Sequence, residues 1–507
     1  MTLLTSSRAR RIFGGWSANV FALLLALTQQ IILIPLFLKY WSGETLSAWL
    51  TIFAAGNLVL AADPGLHAWS LNRFLLFKSR ADCDRRTARF YGAMSRLFMG
   101  YTAALVAAMS AIFAVTTPSR MLGFLAEPNF NLSFAIVTLG MALALPTNLA
   151  TALYRARGHY GRIGSLQAWG MAIGQVGQVI GVVTTGSLLV VTVAYVAGQL
   201  ILAVFVVFID VRRQFPSLGR LRSRVSLRWA VAQFQGAFPF SVTNFAEVGL
   251  SYFSVLLIGV FVSDRIAIAQ WSLTRTIVNL LRGVYTQITL PLAAELGHDH
   301  AIGARDSLQR LFLRGSVILV LFASVATSGA VVFWPDFFVI WTRGAIPYDA
   351  TLSITLLLGT CAAAPAFLAL SYANYSNRGP LMLAVKALQL LLFSVLAVIL
   401  IPRFGPLGAA IALVSSELIA QSGFLLVIIV SETLSRPVRY GVVMLGIMLT
   451  TVGAGVMLGE AVRPLTPGGG VVHLFIECML WLFSVTIVAS PLISKKLRHR
   501  LIAAIPV

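Results

Sequence analysis

Fourteen stretches of mostly apolar residues run through the chain, each of about twenty residues, the length that carries a helix across the hydrocarbon core of a bilayer. They fall near 12–38, 46–69, 94–115, 132–154, 164–184, 187–209, 237–262, 266–292, 315–335, 351–375, 380–401, 406–430, 440–460 and 471–492. A backbone in lipid must satisfy its own hydrogen bonds, so runs of this kind are expected to be helices. Composition excludes a row of soluble domains: 58% of the 507 residues are hydrophobic and 11% charged, with a mean hydropathy of +0.87. The expected class is an all-α polytopic membrane protein of about 14 transmembrane helices. The first apolar run follows Arg8, Arg10 and Arg11 as in a signal peptide. It is too long for one and lacks a small-residue cleavage site, so it is read as an uncleaved first span.

The net charge of +21 would suggest nucleic acid in a soluble protein. Here the basic residues sit in turns between spans and are read as topology signals, with no nucleic-acid partner. With a cytoplasmic N-terminus, the inside segments hold 30 of the 38 Lys and Arg, among them Arg73, Lys78, Arg80, Arg85, Arg86, Arg89 and Arg96 in one loop and Lys495, Lys496, Arg498 and Arg500 in the tail. Only Lys39, Arg120, Arg265, Arg343, Arg403 and Arg463 fall outside, and Arg275 and Arg282 lie within a span. That asymmetry predicts an even number of spans with both termini cytoplasmic.

The chain repeats itself. PTNLATALYRARG (146–158) reads against PAFLALSYANYSNRG (365–379) with a two-residue insertion, and the glycine-punctuated start of span 6 at Gly186 parallels FGPLGAAIALVSSEL (404–418). These offsets map span 1 onto span 7. The expected organisation is two homologous six-helix bundles of the same orientation, 1–210 and 237–431, joined by a basic cytoplasmic linker, 211–236, with two added spans and a basic tail over 432–507. Parallel repeats of this kind place a substrate site between the halves, near the bilayer midplane. The linker, with RRQFPSLGRLRSRVSLR, is read as a topology determinant on the anionic leaflet, and docking of a cytoplasmic enzyme is the other reading.

Span 8 carries the most informative pattern. In WSLTRTIVNLLRGVYTQITLPL (271–292), Arg275, Asn279, Arg282 and Thr286 fall within about 60° of one another on a helix, and the rest is largely Ile, Val and Leu. An arginine held mid-membrane costs roughly 3 kcal/mol on insertion scales, so the stripe is expected to face a bundle interior or a wet cavity. Two arginines together suit an anion, because a guanidinium matches phosphate oxygens bidentately and is always charged. Glu247, on a stripe of span 7 with Asn244, Ser251 and Ser254, lies roughly 15 Å from the cytoplasmic end of its helix, at a depth similar to Arg275. A Glu247–Arg275 pair either neutralises two buried charges or opens to an anionic substrate or a proton. Arg282 has no acidic neighbour in adjacent spans by depth, which leaves substrate contact or snorkelling to the inner surface.

Asp63 lies in LAADPGLHAW, where Pro64 and Gly65 break span 2 and His67 follows. It either binds a cation or proton with the freed carbonyls or caps the helix after the break. Asn19, Gln29, Gln30 and Asn57 are expected to bond between helices, and Gly170, Gly174, Gly177 and Gly181 to form a close-packing seam. Glu417 with Gln421, and Glu477 with His473, carry no assigned role. Cys83, Cys361 and Cys478 show no disulfide or metal spacing. No H-E-x-x-H, G-x-S-x-G or Walker-type loop is present, so no catalytic residues are assigned and no enzyme is expected.

The run IPLFLKYWSGETLSAWLTIFAAGNLVLAADPGLHAWSLNRF (34–74) resembles the opening of the Wzx-like polysaccharide-transport proteins, the O-antigen and exopolysaccharide flippases of the multidrug/oligosaccharidyl-lipid/polysaccharide (MOP) exporter superfamily. Asp63, Gly65 and Leu66 match that family's acidic-x-Gly-Leu segment, and Pro64 departs from it. Lipid II flippases carry an arginine in span 1, and here none stands between Arg11 and Lys39. Multidrug exporters handle organic cations with acidic residues, whereas Arg275 and Arg282 are central here. The resemblance implies export of an undecaprenyl-diphosphate-linked oligosaccharide from inner to outer leaflet of the bacterial inner membrane, by alternating access. It implies no cofactor beyond an H⁺ or Na⁺ gradient, and the company of a polysaccharide polymerase and glycosyltransferases. A cation-coupled drug or metabolite exporter of the same superfamily is the alternative, and a membrane glycan polymerase or ligase a third reading.

Overall fold

The computed structural model describes residues 25, 28–79, 86–216, 226–376, 378–465 and 470–493. Expectations resting on Arg8, Arg10, Arg11 and Asn19, on Arg80, Cys83 and Arg85, on Arg220, Arg222 and Arg224, and on Lys495, Lys496, Arg498 and Arg500 lie outside these residues. Among the described residues every regular element is helical. By internal packing the chain forms two compact units, Met1–Ile268 and Ala269–Val507.

The first unit contains α1 (Leu33–Tyr40), α2 (Gly43–Val59), α3 (Leu66–Ser79), α4 (Arg86–Val115), α5 (Pro118–Leu122), α6 (Phe130–Ala144), α7 (Thr147–Ala156), α8 (Tyr160–Thr185), α9 (Leu188–Val204), α10 (Val211–Gln214) and α11 (Leu227–Phe261). Helices begin where a side chain satisfies an orphan amide: Ser42 Oγ accepts from Thr45 N at 3.1 Å, and Ser226 Oγ from Trp229 N at 3.2 Å. The expected glycine seam is present between α8 and α9. A Cβ on Gly198 would stand 2.6 Å from Gly174 N and 2.8 Å from Gly170 O, so only glycine lets these backbones approach so closely. Polar side chains tie helices as expected: Gln175 Nε2 donates to Leu25 O at 2.8 Å and Gln29 Oε1 at 3.4 Å. α11 packs on α2 and α3, which places the expected seventh span in this unit, so the division by packing falls after it at Ile268.

The second unit contains most of α12 (Ile266–Ala301), then α13 (Arg305–Thr342), α14 (Ala350–Ala362), α15 (Ala364–Tyr375), α16 (Gly379–Glu417), α17 (Val427–Thr433), α18 (Pro437–Val462) and α19 (Val471–Ile493). α18 and α19, the added spans, are fixed to α13. Trp481 Nε1 donates to Gly455 O at 2.9 Å, and the indole lies where a Cβ on Gly329 would meet it at 2.7 Å. Their other faces carry exposed apolar residues such as Leu449, Met457, Phe475 and Phe483, as lipid-facing helices do.

Ten described helices are long and apolar enough to cross a membrane, and α14 with α15, bent by 47°, make eleven if taken as one span. The chain is therefore a multi-pass membrane protein. The count sits below fourteen for physical reasons. Most of the expected first span lies outside the described residues. The tract Gly379–Thr433 holds two expected spans, reversed at Gly405 (φ 56°, ψ −133°) between Pro402 and Pro406. The arginines and Asn279 dilute the apolar run of α12. Each unit also has the same local device: a break at Pro146 or next to Pro365, followed by a short helix of 10 or 12 residues.

Candidate functional site: a cationic helix and its buried carboxylate

α12 runs unbroken through Arg275, Asn279, Arg282 and Thr286, so the stripe keeps its helical geometry. Arg275 is buried, 7% exposed, with its guanidinium 5.8 Å from the Trp271 ring centroid. Asn279 and Thr286 are exposed, and the Thr286 hydroxyl turns back to Arg282 O at 2.9 Å. Arg282 is partly buried over the Phe367 ring, 6.0 Å from its centroid.

The structure corrects one expectation. Arg282 has an acidic partner: its Nη2 donates to Glu417 Oε2 in an ion pair. Depth along the sequence compares only neighbouring spans, and Glu417 comes from the far arm of the Gly405 reversal, 135 residues away. Glu417 is 1% exposed, and a carboxylate buried so deeply needs a countercharge. Immediately after it the helix widens into a π-helical stretch, Leu418–Leu426. There Gln421 Nε2 donates to Gln389 Oε1 at 2.9 Å. Arg282 Nε, Gln421 Oε1 and Ser422 Oγ are buried without a hydrogen-bond partner in the structure. Glu417 is thus the residue whose role the sequence left unassigned. Its signal was an acid inside an apolar run, one turn from a glutamine.

Asp63 lies at the break before α3, buried, and accepts from Asn148 Nδ2 at 3.0 Å. Its other oxygen, Oδ1, is buried at the start of α3 without a hydrogen-bond partner. Gly65 (φ 75°) cannot carry a Cβ, which would stand 2.3 Å from Ala237 O of α11. Asn244 on α11 reaches Leu60 O at 3.4 Å, and Glu247, one turn on, is exposed. Glu247 belongs to the first unit and Arg275 to the second.

A further buried carboxylate, Asp210, was not marked in the sequence because it stands at the margin of span 6. Asp210, fully buried in the π-helical turn Phe205–Asp210, accepts from Arg162 Nε at 3.0 Å and from the Tyr154 hydroxyl. The nearby basic pair Arg212 and Arg213 was its available signal. His473 Nε2 and Glu477 Oε1 pair at 3.3 Å within α19. Arg265, counted as an outside loop charge, donates to Leu122 O at 2.7 Å and Gly259 O at 2.8 Å. Burial lowers its guanidinium pKa, against the Asp264 and Glu44 charges that raise it. The second unit also holds a cavity of about 410 Å³, lined mainly by apolar groups of α13, the α14–α15 break, the π-helical stretch and α18, including Val320, Cys361, Pro365, Leu426 and Met444. No group of His, Cys, Asp and Glu among the described residues could hold a metal ion.

The all-helical fold of the chain is similar to folds known from solved structures. Among the solved structures it resembles is a lipid II flippase, MurJ, in an inward closed conformation, with 12% identity over 95% of this chain and 99% of that one and a TM-score of 0.72. An inward-facing multidrug resistance MATE family transporter of the MOP superfamily matches at 14% identity over 77% and 91%, TM-score 0.61. A MOP superfamily transporter from Pyrococcus furiosus, described by the reversed polarity of its binding pocket, matches at 13% identity over 85% and 94%, TM-score 0.53. These proteins are flippases and transporters, not enzymes, and at such identities the likeness is one of fold. No family model matches the chain, and no curated protein matches it.

Proposed function

We propose that the chain is a flippase that moves an undecaprenyl-diphosphate-linked oligosaccharide from the inner to the outer leaflet of a bacterial inner membrane, by alternating access, for O-antigen or exopolysaccharide synthesis. The observation that carries this reading is the pair of arginines on α12, one buried beside Trp271 and one held between Phe367 and Glu417. Cations at these positions fit a diphosphate rather than a cationic drug. The fold likeness to a flippase of a lipid-linked substrate and to MOP transporters supports the class. The apolar cavity beside the π-helical stretch is of a kind to receive part of a polyprenyl tail. The fourteen-span plan, the paired bundles, cytoplasmic termini, ion-gradient coupling, a Glu247–Arg275 pair, Asp63 as an ion site, and polymerase or glycosyltransferase partners belong to the same reading.

The test is complementation of a deletion strain. Arg275→Ala and Arg282→Ala, each inserted in the membrane at the wild-type level, are expected to abolish surface polysaccharide and leave lipid-linked oligosaccharide on the inner face. Full complementation by both variants rejects the cationic site. Unchanged glycans with raised sensitivity to cationic dyes in the deletion strain support a drug exporter instead.

A further inference from the structure

Arg282 meets Glu417 in an arrangement that goes beyond neutralisation, and its meaning rests on the reading of Arg282 as a phosphate contact. Three observations converge. Arg282 uses Nη2 on the carboxylate while its Nε is buried without an acceptor. Glu417 stands where the α-helix passes into the π-helical stretch, a kind of irregularity that clusters at functional sites. Gln421, one turn after Glu417, has its amide nitrogen committed to Gln389 but its Oε1 buried without a donor. An ionised carboxylate has no proton to give that oxygen, whereas a carboxylic acid does.

We propose that Glu417 is a built-in substitute for the substrate's phosphate, and that the diphosphate displaces it from Arg282 as Glu417 takes up a proton and turns to Gln421 Oε1. The exchange balances. The Arg282–carboxylate hydrogen bond is replaced by an Arg282–phosphate bond that also engages Nε. One proton, given up by the buffered bulk solvent, converts the carboxylate to a carboxylic acid, whose O–H donates to Gln421. No covalent bond to carbon or phosphorus changes. Without the proton, the displaced carboxylate would be left buried and uncompensated, at a cost that opposes binding. Substrate binding and protonation are therefore coupled, and each strengthens the other reciprocally.

The charged and titratable groups around this point are few. Arg282 and Tyr285 face it from α12, Cys361 lies on α14 near Tyr285, and Lys386 is one turn from Gln389 on α16. On the remaining packed elements, Tyr372 of α15 bonds His300 at 2.9 Å, and Glu432 of α17 is paired with Arg378. Glu417 is thus the carboxylate placed to exchange partners on Arg282.

The experiment uses the full chain in detergent and farnesyl diphosphate as probe, by calorimetry in buffers of different ionisation enthalpy. Wild type is expected to take up about one proton more per diphosphate than Glu417→Gln or Glu417→Ala, the ligand's own titration being common to all three. Across the coupled range its affinity rises by up to about tenfold per unit fall in pH relative to the neutral variants, which bind more tightly at alkaline pH. Equal proton uptake in wild type and a folded neutral variant overturns the exchange while leaving Arg282 as a phosphate contact. Absence of farnesyl diphosphate binding in wild type and both variants overturns the exchange together with the phosphate reading beneath it.

Discussion

At the level of single residues, charges in this protein are settled by partners more than by depth. Asp210 shows the rule: it is fully buried, and its ionised form is held by Arg162 and the Tyr154 hydroxyl. Removing Arg162 strands a buried carboxylate, so Arg162→Met is expected to destabilise the first unit by about 3 kcal/mol, toward the low end because Arg162 itself stays partly open to solvent. The triple variant Arg162→Met, Asp210→Leu and Tyr154→Phe, which leaves no polar partner stranded, should recover most of that loss, and thermal melting of the detergent-purified chain reads both. The same rule explains what the sequence concealed. Arg275 and Arg282 were legible because two arginines on one apolar helix are costly wherever they go. Glu417 was visible as an acid in a span, but its pairing depends on the Gly405 reversal bringing residues 135 apart into contact, which no periodicity records.

At the level of elements, the fold depends on places where backbones nearly touch. Gly198 of α9 faces Gly174 and Gly170 of α8 with no room for a methyl group, whereas Gly100 of α4 has nothing within 4 Å of its would-be Cβ. Gly198→Ala should therefore cost about 1–3 kcal/mol through overpacking, and Gly100→Ala should be neutral or slightly stabilising. Comparing the two melting temperatures separates seam from composition. The seam was readable because small residues recur at helical spacing in an apolar run. The break after Asp63 was readable from Pro64 and Gly65, whereas those at Pro146 and beside Pro365 were not, because proline does not end every helix here: Pro239, Pro291 and Pro335 stand inside α11, α12 and α13. The π-helical stretch Leu418–Leu426 was not readable either, because a single wider turn leaves the apolar pattern almost unchanged.

At the level of the whole molecule, the bias of basic residues predicts a side for each loop. In a chain with Cys83, Cys361 and Cys478 replaced, Arg343→Cys is expected to react with a membrane-impermeant maleimide added to intact cells. Arg310→Cys is expected to react only after the inner side is opened. The reverse pattern rejects the cytoplasmic placement of both termini. The class of fold was legible because span length is fixed by bilayer thickness, whereas the division at Ile268 follows from how α11 packs on α2 and α3.

The seat of Trp481 bears on biogenesis. Chains are made from the N-terminus, and α13 enters the bilayer long before α19 is synthesised. Until then the cleft beside Gly329 and Gly455 has only lipid tails to fill it, whose flexible chains match the outline of an indole poorly and leave Gly455 O without its donor. Maturation of the second unit is therefore deferred to a late event in translation, and a nascent chain stalled before Val471 presents an unfinished surface of the kind that membrane quality control can recognise.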